Sequence, residues 1–435
     1  MEPRKTVLIL TYYWPPAGGP GVQRVVKFVK YLPDFGYQPI VLTVAKGEYP
    51  AIDHSLEAEV PAGIRVVRTR TFEFFALFKR LTGRKKEERI TTTILKADNP
   101  GWKDRIFRWI RYNLFYPDAR IGWRWYALRA ARKIIREEKP VLLFCTSPPH
   151  SAQWITRSLH RKTGIPWVAD FRDPWTDAYW LRDLPKYPWA YRRNLAMERA
   201  VLAEADALIT VSEGYQELLH KTGRRPQLIR NGFDAADFTQ RKSANPTFRI
   251  VYTGSLSQIQ MPANFLDALA GLSHEEQKQV QFDLYGAIDP QFFKEAEERG
   301  ISHLVKEHGY IPHDQVVLEM VQADLLLLLT PRTPSVGMTP LKLYEYLASG
   351  AFILGIGDTT SDPARILERC EGGQYVSYDT NVLPLLRHRL EAWRQHPGVQ
   401  PQIHPGVRQL ERRELTRQLA EVFDQVLAKG GKHGA

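Results

Sequence analysis

The residues best suited to bind a phosphate group stand together near position 340. Pro340 favours the first turn of a helix, and the glycine-containing segment before it would present backbone N–H groups. Lys342 follows in that turn, so the helix dipole and an ammonium group would together attract a diphosphate. Glu345 has a carboxylate that would accept hydrogen bonds from two ribose hydroxyls. We predict that this segment binds a donor substrate that contains a nucleoside diphosphate. The predicted donor-binding residues are Gly337, Met338, Thr339, Lys342 and Glu345.

Two further glycine-containing turns follow predicted strands and complete the predicted donor site. Gly18 and Gly19 follow the first strand of the chain, and Gly254 and Ser255 follow a later one. Ligands of open α/β sheets bind outside the carboxyl ends of the strands, where glycine lets the backbone approach an anion or a sugar. Arg24 stands where a dinucleotide-binding fingerprint has its third glycine, so a nicotinamide cofactor is disfavoured.

Polar and charged side chains follow two other predicted strands. Ser147 and His150 come after one of them and would bind an acceptor. Arg172 and Asp173 come after the next one, directly before a proline and a tryptophan. We predict that Asp173 orients a hydroxyl of the acceptor or donor. Arg172 and Lys342 would stabilise the negative charge that develops on a leaving diphosphate. The predicted catalytic residues are therefore Asp173, Arg172 and Lys342.

Each of these signals has a purely structural alternative. Lys342 and Glu345 are spaced to form a surface ion pair, which stabilises a helix by only ~0.2–0.5 kcal/mol. Pro- and Gly-rich turns are common without any ligand, and Ser or Thr before a helix often only caps it. An Asp–Arg pair at a strand end is equally consistent with a structural clamp.

The spacing of apolar runs predicts an α/β protein with two Rossmann-like domains facing each other across a cleft. Short apolar runs alternate with helical patterns, and runs such as the five leucines at residues 325–329 are typical of strands buried on both faces. We predict an N-terminal acceptor-binding domain over residues 1–240, with an insertion at about 45–120. A nucleotide-sugar-binding domain would follow over 247–405, and a C-terminal helix over 406–435 would return to the first domain.

The net charge of +12 is concentrated in one segment. Between Lys79 and Arg136 there are 17 Lys and Arg against 5 Asp and Glu, interspersed with large aromatics, and the rest of the chain is neutral. Such a mixture is typical of proteins that bind anionic membranes or nucleic acid, although a solvated helical face is the plainer interpretation. A helix through residues 102–111 would put apolar and basic residues on opposite sides, which favours the membrane. The predicted docking residues are Trp102, Arg105, Arg108, Trp109 and Arg111.

No apolar run approaches the ~20 residues that a membrane-spanning helix needs, so we expect a cytoplasmic protein, peripheral on the inner face of the cytoplasmic membrane. Cys145 and Cys370 are far apart and predict neither a disulfide framework nor a cysteine metal site. The chain has no Asp-x-Asp and no cluster with metal-ligand spacing, which predicts catalysis without a metal and with no other cofactor.

Several motifs, in order along the chain, resemble the family 4 retaining glycosyltransferases of GT-B fold. They are the Gly18-Gly19 turn, ADALITVSEGYQELL at 205–219, LIRNGFDAADF at 228–238, VYTGSL at 251–256, HGYIPHDQVVLEMVQADLLLLL at 308–329 and PLKLYEYLASG at 340–350. The resemblance covers nearly the whole chain outside the insertion. It implies donor binding by the second domain, with Glu345 on the nucleotide ribose and residues 337–339 near sugar and phosphate. It also implies transfer with retention of configuration.

Two positions depart from the family pattern. The family's pair of glutamates, separated by seven intervening residues, is here Gly337 and Glu345, so the first carboxylate is missing. The Arg and Lys that often follow the glycine strand are here Ser255 and Gln260, which leaves Lys342 as the candidate cation for the diphosphate.

The function predicted from these observations is sugar transfer from a nucleoside diphosphate sugar to a glycan or lipid-linked acceptor, as in polysaccharide biosynthesis for the cell envelope. A sugar-nucleotide epimerase or hydrolase on the same fold is one alternative, because fold does not determine function. A nucleic-acid-binding protein that uses the basic segment is another, and it predicts strongly salt-dependent binding. We expect the membrane surface, and no nucleic acid, as the partner of the basic segment.

Overall fold

The computed structural model describes residues 4–49, 51–72, 109–110, 113–178, 181, 187–240, 242–333, 336–396, 398 and 403–430. The chain divides into two compact units, the first being Met1–Arg230 with Leu415–Ala435 and the second Asn231–Glu414. The first unit therefore ends at Arg230, before residue 240, where the N-terminal domain was expected to end. Among the described residues, no helix is both long and apolar enough to cross a lipid bilayer.

The described strands of the first unit form one seven-stranded parallel sheet in the order β3-β2-β1-β4-β5-β6-β7. The strands are β1 (Lys5–Leu10), β2 (Tyr37–Val44), β3 (Arg65–Thr69), β4 (Leu142–Ser147), β5 (Trp167–Phe171), β6 (Ala207–Thr210) and β7 (Gln227–Leu228). The central strands are buried on both faces, which explains their continuous apolar sequences. In register, Leu10 of β1 pairs with Leu42 on one side and Cys145 on the other.

Helices connect these strands, as parallel pairing requires. They are α1 (Pro20–Tyr31), α2 (Ser55–Ala58), α3 (Arg124–Glu138), α4 (Ser151–Thr163), α5 (Pro188–Glu204) and α6 (Glu213–Leu219). Single 3-10 turns lie at Leu32–Phe35 and Ile121–Trp123.

The edge strand β3 lies inside the segment expected to be an insertion. Its residues pair with β2 from Ile40↔Arg65 to Val44↔Thr69, so the sheet continues beyond residue 45. Arg65 and Arg68 are exposed, because an edge strand has only part of its surface covered, and this gave the segment its polar sequence. The insertion is therefore shorter at its start than expected.

The described strands of the second unit form a six-stranded parallel sheet in the order β10-β9-β8-β11-β12-β13. The strands are β8 (Phe248–Thr253), β9 (Val280–Tyr285), β10 (Val305–Gly309), β11 (Leu325–Leu329), β12 (Phe352–Ile356) and β13 (Gly373–Val376). This order is that of the dinucleotide-binding Rossmann sheet, and the first unit has it with one strand added. The predicted fold class of two Rossmann-like α/β units is confirmed.

The helices of the second unit are α7 (Ala263–Ala270), α8 (His274–Gln277), α9 (Pro290–Glu298), α10 (His313–Gln322), α11 (Lys342–Ser349), α12 (Asp362–Arg369), α13 (Leu383–Gln395) and α14 (Pro405–Arg408). Single 3-10 turns lie at Ala235–Asp237, Gln258–Gln260 and Ser302–Leu304. The five leucines of β11 are fully buried, and they face both apolar clusters that cover the sheet.

The last helix, α15 (Arg412–Gly430), contributes its apolar side to the core of the first unit. Phe423 packs edge-on against Tyr37 and Phe144, with ring centroids 5.2 and 5.6 Å apart. Asp424 accepts hydrogen bonds from Tyr37 at 2.7 Å and from Lys5 at 3.0 Å. Through these contacts α15 packs against β1, β2 and β4.

Candidate functional site

In each sheet the strand order reverses between two neighbouring strands, and such a reversal opens a crevice at their carboxyl ends. In the second unit these strands are β8 and β11, which pair at Leu325↔Ile250 and Leu326↔Val251. The chain leaves β8 at Gly254, and after β11 it reaches α11, so both predicted donor-binding segments of this unit lie at the reversal. The topology thus brings together residues that are far apart in the sequence.

Helix α11 is joined to the end of β8 through Thr253. The ammonium of Lys342 donates a hydrogen bond to the Thr253 carbonyl at 2.9 Å. One turn further along α11, the Tyr346 hydroxyl accepts a hydrogen bond from the Thr253 amide at 2.9 Å and lies 3.1 Å from the Thr253 hydroxyl. The i and i+4 positions share one face of a helix, so this face holds the lysine against the strand end.

The Lys342 ammonium is in an unusual position for a charged group. It lies 3.8 Å from the centroid of the Tyr252 ring, and among the described residues no carboxylate lies within ion-pair distance of it. Burial lowers the pKa of Lys342 to about 7, because desolvation disfavours the charged form. A bound anion would supply the counter-charge that this amine does not have.

The segment before α11 would let a ligand come close to the backbone. Gly337 has a φ of 79°, in the left-handed region that favours glycine. The Thr339 hydroxyl is buried and, within the described part of the chain, has no hydrogen-bond partner. An unsatisfied buried hydroxyl costs free energy, so a ligand that bonds to it would gain that energy back. Met338 and Pro340 are partly buried beside it.

Gly254 and Gly286 meet at the carboxyl ends of β8 and β9. Gly254 has a φ of 101°, and a Cβ built on it would lie 3.8 Å from the Lys342 ammonium. A Cβ on Gly286 would come within 2.3 Å of the Gly254 carbonyl oxygen, so only glycine fits there. Ser255 is exposed, and its carbonyl accepts a hydrogen bond from the Tyr252 hydroxyl at 2.7 Å. The Gly254 backbone, which has no side chain, therefore lies beside the lysine.

Glu345 contacts His313 at the start of α10, with 3.0 Å between Nε2 and Oε1. The glutamate side chain is 15% exposed and the histidine 42% exposed. Lys342 and Glu345 form no ion pair with each other, so the alternative of a surface i,i+3 pair does not hold. His313 was not among the predicted site residues, because its contact with Glu345 depends on how α10 and α11 pack.

In the first unit the reversal lies between β1 and β4, and the loop after β1 begins α1 there. Gly19, with a φ of 103°, is the residue before α1. A Cβ on Gly18 would lie 2.9 Å from the Asp53 Cβ, and a Cβ on Gly21 would lie 1.2 Å from Nη1 of Arg172. The guanidinium of Arg172 thus lies against the first turn of α1.

A buried ion pair orders the strand end that carries Arg172. Arg24 and Asp170 are both fully buried and form two hydrogen bonds at 3.0 and 3.1 Å. Asp170 also accepts a hydrogen bond from Thr146 at 2.8 Å, and Arg24 donates one to the Arg230 carbonyl at 2.8 Å. The structural clamp considered for this strand end therefore exists, but its arginine is Arg24, which leaves Arg172 for other contacts.

Arg172 donates to backbone carbonyls, to Ser147 at 3.2 Å and to Pro148 at 2.5 Å. Burial lowers its pKa, and Asp173 and Asp170 oppose that shift. Burial raises the pKa of Asp173, opposed by Arg172 and by a hydrogen bond from Tyr215. The two predicted catalytic residues of this unit are therefore close enough to influence each other's charge.

His150 and Ser147, the predicted acceptor-binding residues, have different surroundings. The His150 ring stacks on Trp175, with centroids 4.9 Å apart and planes at 5°. Ser147 is fully buried, and its hydroxyl lies 3.3 Å from both the Asp170 carbonyl and the Gln153 amide nitrogen. The prediction for Ser147 is corrected, because a hydroxyl enclosed by the sheet and α4 connects strand ends and is shielded from an acceptor.

Asp118 was missed by the sequence analysis. Its carboxylate accepts hydrogen bonds from the amide of Ser151 at 2.8 Å and from that of Arg120 at 2.9 Å. Burial raises its pKa, and these bonds oppose the shift. Asp118 thereby caps α4 directly after His150, which positions that ring.

Of the predicted docking residues, Trp109 is described, and Trp102, Arg105, Arg108 and Arg111 lie outside the described residues. The Trp109 side chain is 37% exposed, and its ring lies 6.3 Å from that of Tyr187.

The chain resembles known proteins both in sequence, over part of its length, and in structure, over nearly all of it. Residues 18–232 match the family of the glycosyl transferase 4-like domain. Sucrose-phosphate synthase from Thermosynechococcus elongatus is 14% identical and has a TM-score of 0.60, with 98% of this chain and 100% of that chain covered. HepE of Anabaena, solved in complex with UDP and glucose, is 15% identical with a TM-score of 0.60, and 97% and 100% are covered.

WaaG, a glycosyltransferase involved in lipopolysaccharide biosynthesis, is 13% identical with a TM-score of 0.51, and 98% of each chain is covered. At these identities the likeness shows a shared fold. No curated protein sequence matches the chain.

Proposed function

Because residues 18–232 belong to the glycosyl transferase 4-like family and the chain is a glycosyltransferase of GT-B fold, we propose that it transfers a sugar from a nucleoside diphosphate sugar to a glycan or lipid-linked acceptor. We include in this proposal retention of configuration and catalysis without a metal ion. The observation that carries it is the Lys342 ammonium, held at the start of α11 without a carboxylate counter-ion. An activated sugar brings a diphosphate, which is the anion that this position lacks.

The second unit would bind the donor through α11 and the segment before it. The amino end of the helix carries a partial positive charge, and Lys342 adds a full one on binding. The Thr339 hydroxyl, buried and unpaired within the described chain, would donate to a phosphate oxygen or to the sugar. Glu345, oriented by His313, would accept hydrogen bonds from the ribose. The amino end of the helix, Lys342 and Thr339 would stabilise the negative charge that accumulates on the diphosphate as the bond to the sugar breaks.

The first unit would bind the acceptor at the carboxyl ends of β4 and β5. The stacked ring of His150 offers a flat polar surface for a sugar, and Asp173 would orient the reacting hydroxyl. Arg172 would add positive charge for the leaving group. In this scheme the acceptor oxygen bonds to the anomeric carbon as the diphosphate departs, and a phosphate oxygen takes the hydroxyl proton.

The polysaccharide assignment and the membrane location are parts of the same proposal. HepE binds UDP and glucose, and WaaG acts in lipopolysaccharide biosynthesis. We propose by analogy a uridine nucleotide sugar as the first donor to test, and a cell-envelope glycan or its lipid-linked precursor as the acceptor. The protein would then work as a peripheral protein on the inner face of the cytoplasmic membrane, with no nucleic acid as partner.

A thermal-shift panel of nucleoside diphosphates and their sugars tests the donor site. A ligand at 100 times its Kd stabilises the folded state by about 2.7 kcal/mol, which for a unit of this size raises Tm by roughly 5–10 °C. Lys342→Met is expected to abolish the shift and Glu345→Gln to reduce it to about half or less, each shift being measured from the variant's own unliganded Tm. Lys278→Met, at an exposed lysine of the same unit, is the matched control and keeps the shift.

The reaction itself separates transfer from its alternatives. With the best donor, a glycosyltransferase consumes the nucleotide sugar fast only when an acceptor is added. Equal consumption without acceptor would indicate a hydrolase, and a changed sugar still attached to the nucleotide would indicate an epimerase. Unaltered donor binding in both the Lys342 and Glu345 variants would contradict the placement of the donor.

A further inference from the structure

Five of the large apolar side chains exposed on the described residues lie on two segments of the first unit that contact each other, the residues before α3 and the start of α5. They are Trp109 (37% exposed), Leu114 (51%), Tyr187 (51%), Trp189 (47%) and Tyr191 (38%), and we call this set the aromatic surface. Isolated exposed apolar residues are ordinary, but a contiguous group is typical of an interaction site.

Contacts between two chain segments hold the aromatic surface together. The Trp109 and Tyr187 rings are 6.3 Å apart, and the Tyr116 and Trp189 rings are 6.4 Å apart. The Tyr187 amide donates to the Asn113 side-chain oxygen at 2.8 Å. The residues before α3 and the start of α5 thus form one structured patch, and its exposure results from the fold.

The charge of this patch is positive. Arg192 and Arg193 are exposed on the first turns of α5, and within the described chain neither has a carboxylate at ion-pair distance. Arg193 lies over the Tyr116 ring at 4.6 Å. No acidic residue occurs between Tyr187 and Met197. Tyr and Trp favour the membrane–water interface, and basic residues beside them favour anionic headgroups.

The patch is also linked to the residue that we propose binds the acceptor. Asn194, the residue after Arg193 on α5, accepts a hydrogen bond from Trp175 at 3.2 Å. Trp175 in turn stacks on His150. A surface that docks on a bilayer would therefore lie beside the acceptor side of this unit.

We propose that the aromatic surface, with Arg192 and Arg193, docks the first unit on an anionic lipid bilayer and that the acceptor is consequently a lipid-linked molecule. This inference rests on the proposed function, and it assigns the docking to α5 and the segment before α3. Trp109 is the one residue that it shares with the docking helix expected from the sequence.

Co-sedimentation with vesicles of phosphatidylcholine alone or with about one third phosphatidylglycerol tests the assignment. The wild-type protein is expected to bind only the anionic vesicles, and less at high salt. Arg192→Gln with Arg193→Gln is expected to weaken binding about 30-fold, since each basic residue near the surface contributes about a fivefold factor in affinity. Tyr187→Ser with Trp189→Ser is expected to weaken it at least as much.

A variant on another exposed aromatic and basic face is the matched control. Trp125 is 82% exposed on α3, and Trp125→Ser with Arg129→Gln removes comparable groups. The proposal expects this control to bind vesicles as wild type does. Melting temperature and nucleotide-sugar binding by the second unit confirm that each variant is folded.

The outcomes are distinct. Loss of vesicle binding in the α5 variants but not in the α3 variant supports the assignment. Unchanged binding in the α5 variants overturns it, and so does loss in the α3 variant alone. If the wild-type protein does not bind anionic vesicles but still binds nucleotide sugar, the membrane proposal as a whole is overturned. The proposal of sugar transfer is not affected by that result.

Discussion

Donor binding should depend on pH through Lys342. Burial lowers the pKa of this amine to about 7 in the unliganded protein, so it is largely neutral at pH 9. A diphosphate favours the charged amine, and its binding must therefore be accompanied by proton uptake above pH 7. If only the charged form binds, affinity falls by a factor of about 90 between pH 6 and pH 9, or about 2.7 kcal/mol.

Isothermal titration with a nucleotide sugar measures this directly. The sugar ester is preferable to a free nucleoside diphosphate, because a terminal phosphate titrates near pH 6 itself. The proton taken up at pH 8 is read from the dependence of the binding enthalpy on the ionisation enthalpy of the buffer. Tyr252 does not interfere, because burial raises its pKa well above the range examined.

Two variants determine whether Lys342 is the source. Lys342→Arg keeps its charge at pH 9 and is expected to bind with little pH dependence, whereas Lys342→Met is expected to bind weakly at every pH. His313→Gln should retain the wild-type pH response. Affinity that stays constant from pH 6 to 9, with no proton uptake, would refute the reasoning.

The same pKa predicts a stability effect of known sign. Between pH 7 and the ordinary lysine value of 10.5, the unfolded chain binds a proton at Lys342 that the folded chain does not. The free energy of unfolding of the unliganded protein should therefore rise with pH in this range, relative to that of Lys342→Met. A difference that falls with pH would have the wrong sign.

Three other predictions concern separate parts of the two sites. Arg24→Met leaves the Asp170 charge buried without its partner and is expected to lower the free energy of unfolding by about 3–5 kcal/mol in chemical denaturation; a loss below about 1 kcal/mol would contradict the buried pair. Glu345→Gln is expected to weaken donor binding about 10–100-fold by titration, as for a lost charged hydrogen bond, and an unchanged Kd would exclude the ribose role. Gly21→Ala places a Cβ on the Arg172 guanidinium, so the transfer rate should fall about 10–100-fold while donor affinity is kept, and an unaffected rate would exclude Arg172 from catalysis.

The sheets were predictable because parallel strands buried on both faces have a distinctive sequence. The leucine run of β11 and the apolar runs of β4 and β8 were recognised on that ground. β3 was not recognised, because an edge strand that begins with Arg65 and contains Arg68 does not have this pattern. Its place in the sheet depends on pairing with β2, which is a tertiary contact.

The candidate site was predictable where one short segment carries several functional groups. The segment that leads into α11, with Gly337 and Pro340 before the helix and Lys342 as its first residue, has such local information. The partner of Glu345 is 32 positions away, and the partner of Asp170 is 146 positions away, so neither follows from spacing. Ser147 was assigned to the acceptor because it follows a strand, but the packing of α4 over the strand end encloses its hydroxyl.

The central claim is that the diphosphate of an activated sugar binds at the amino end of α11. A crystal structure with a nucleotide sugar tests this most directly. The account predicts a phosphate oxygen within about 3 Å of the Lys342 ammonium, with the Thr253 carbonyl bond released or shared and Glu345 on the ribose. A diphosphate bound elsewhere, with Lys342 still bonded only to Thr253, would contradict it.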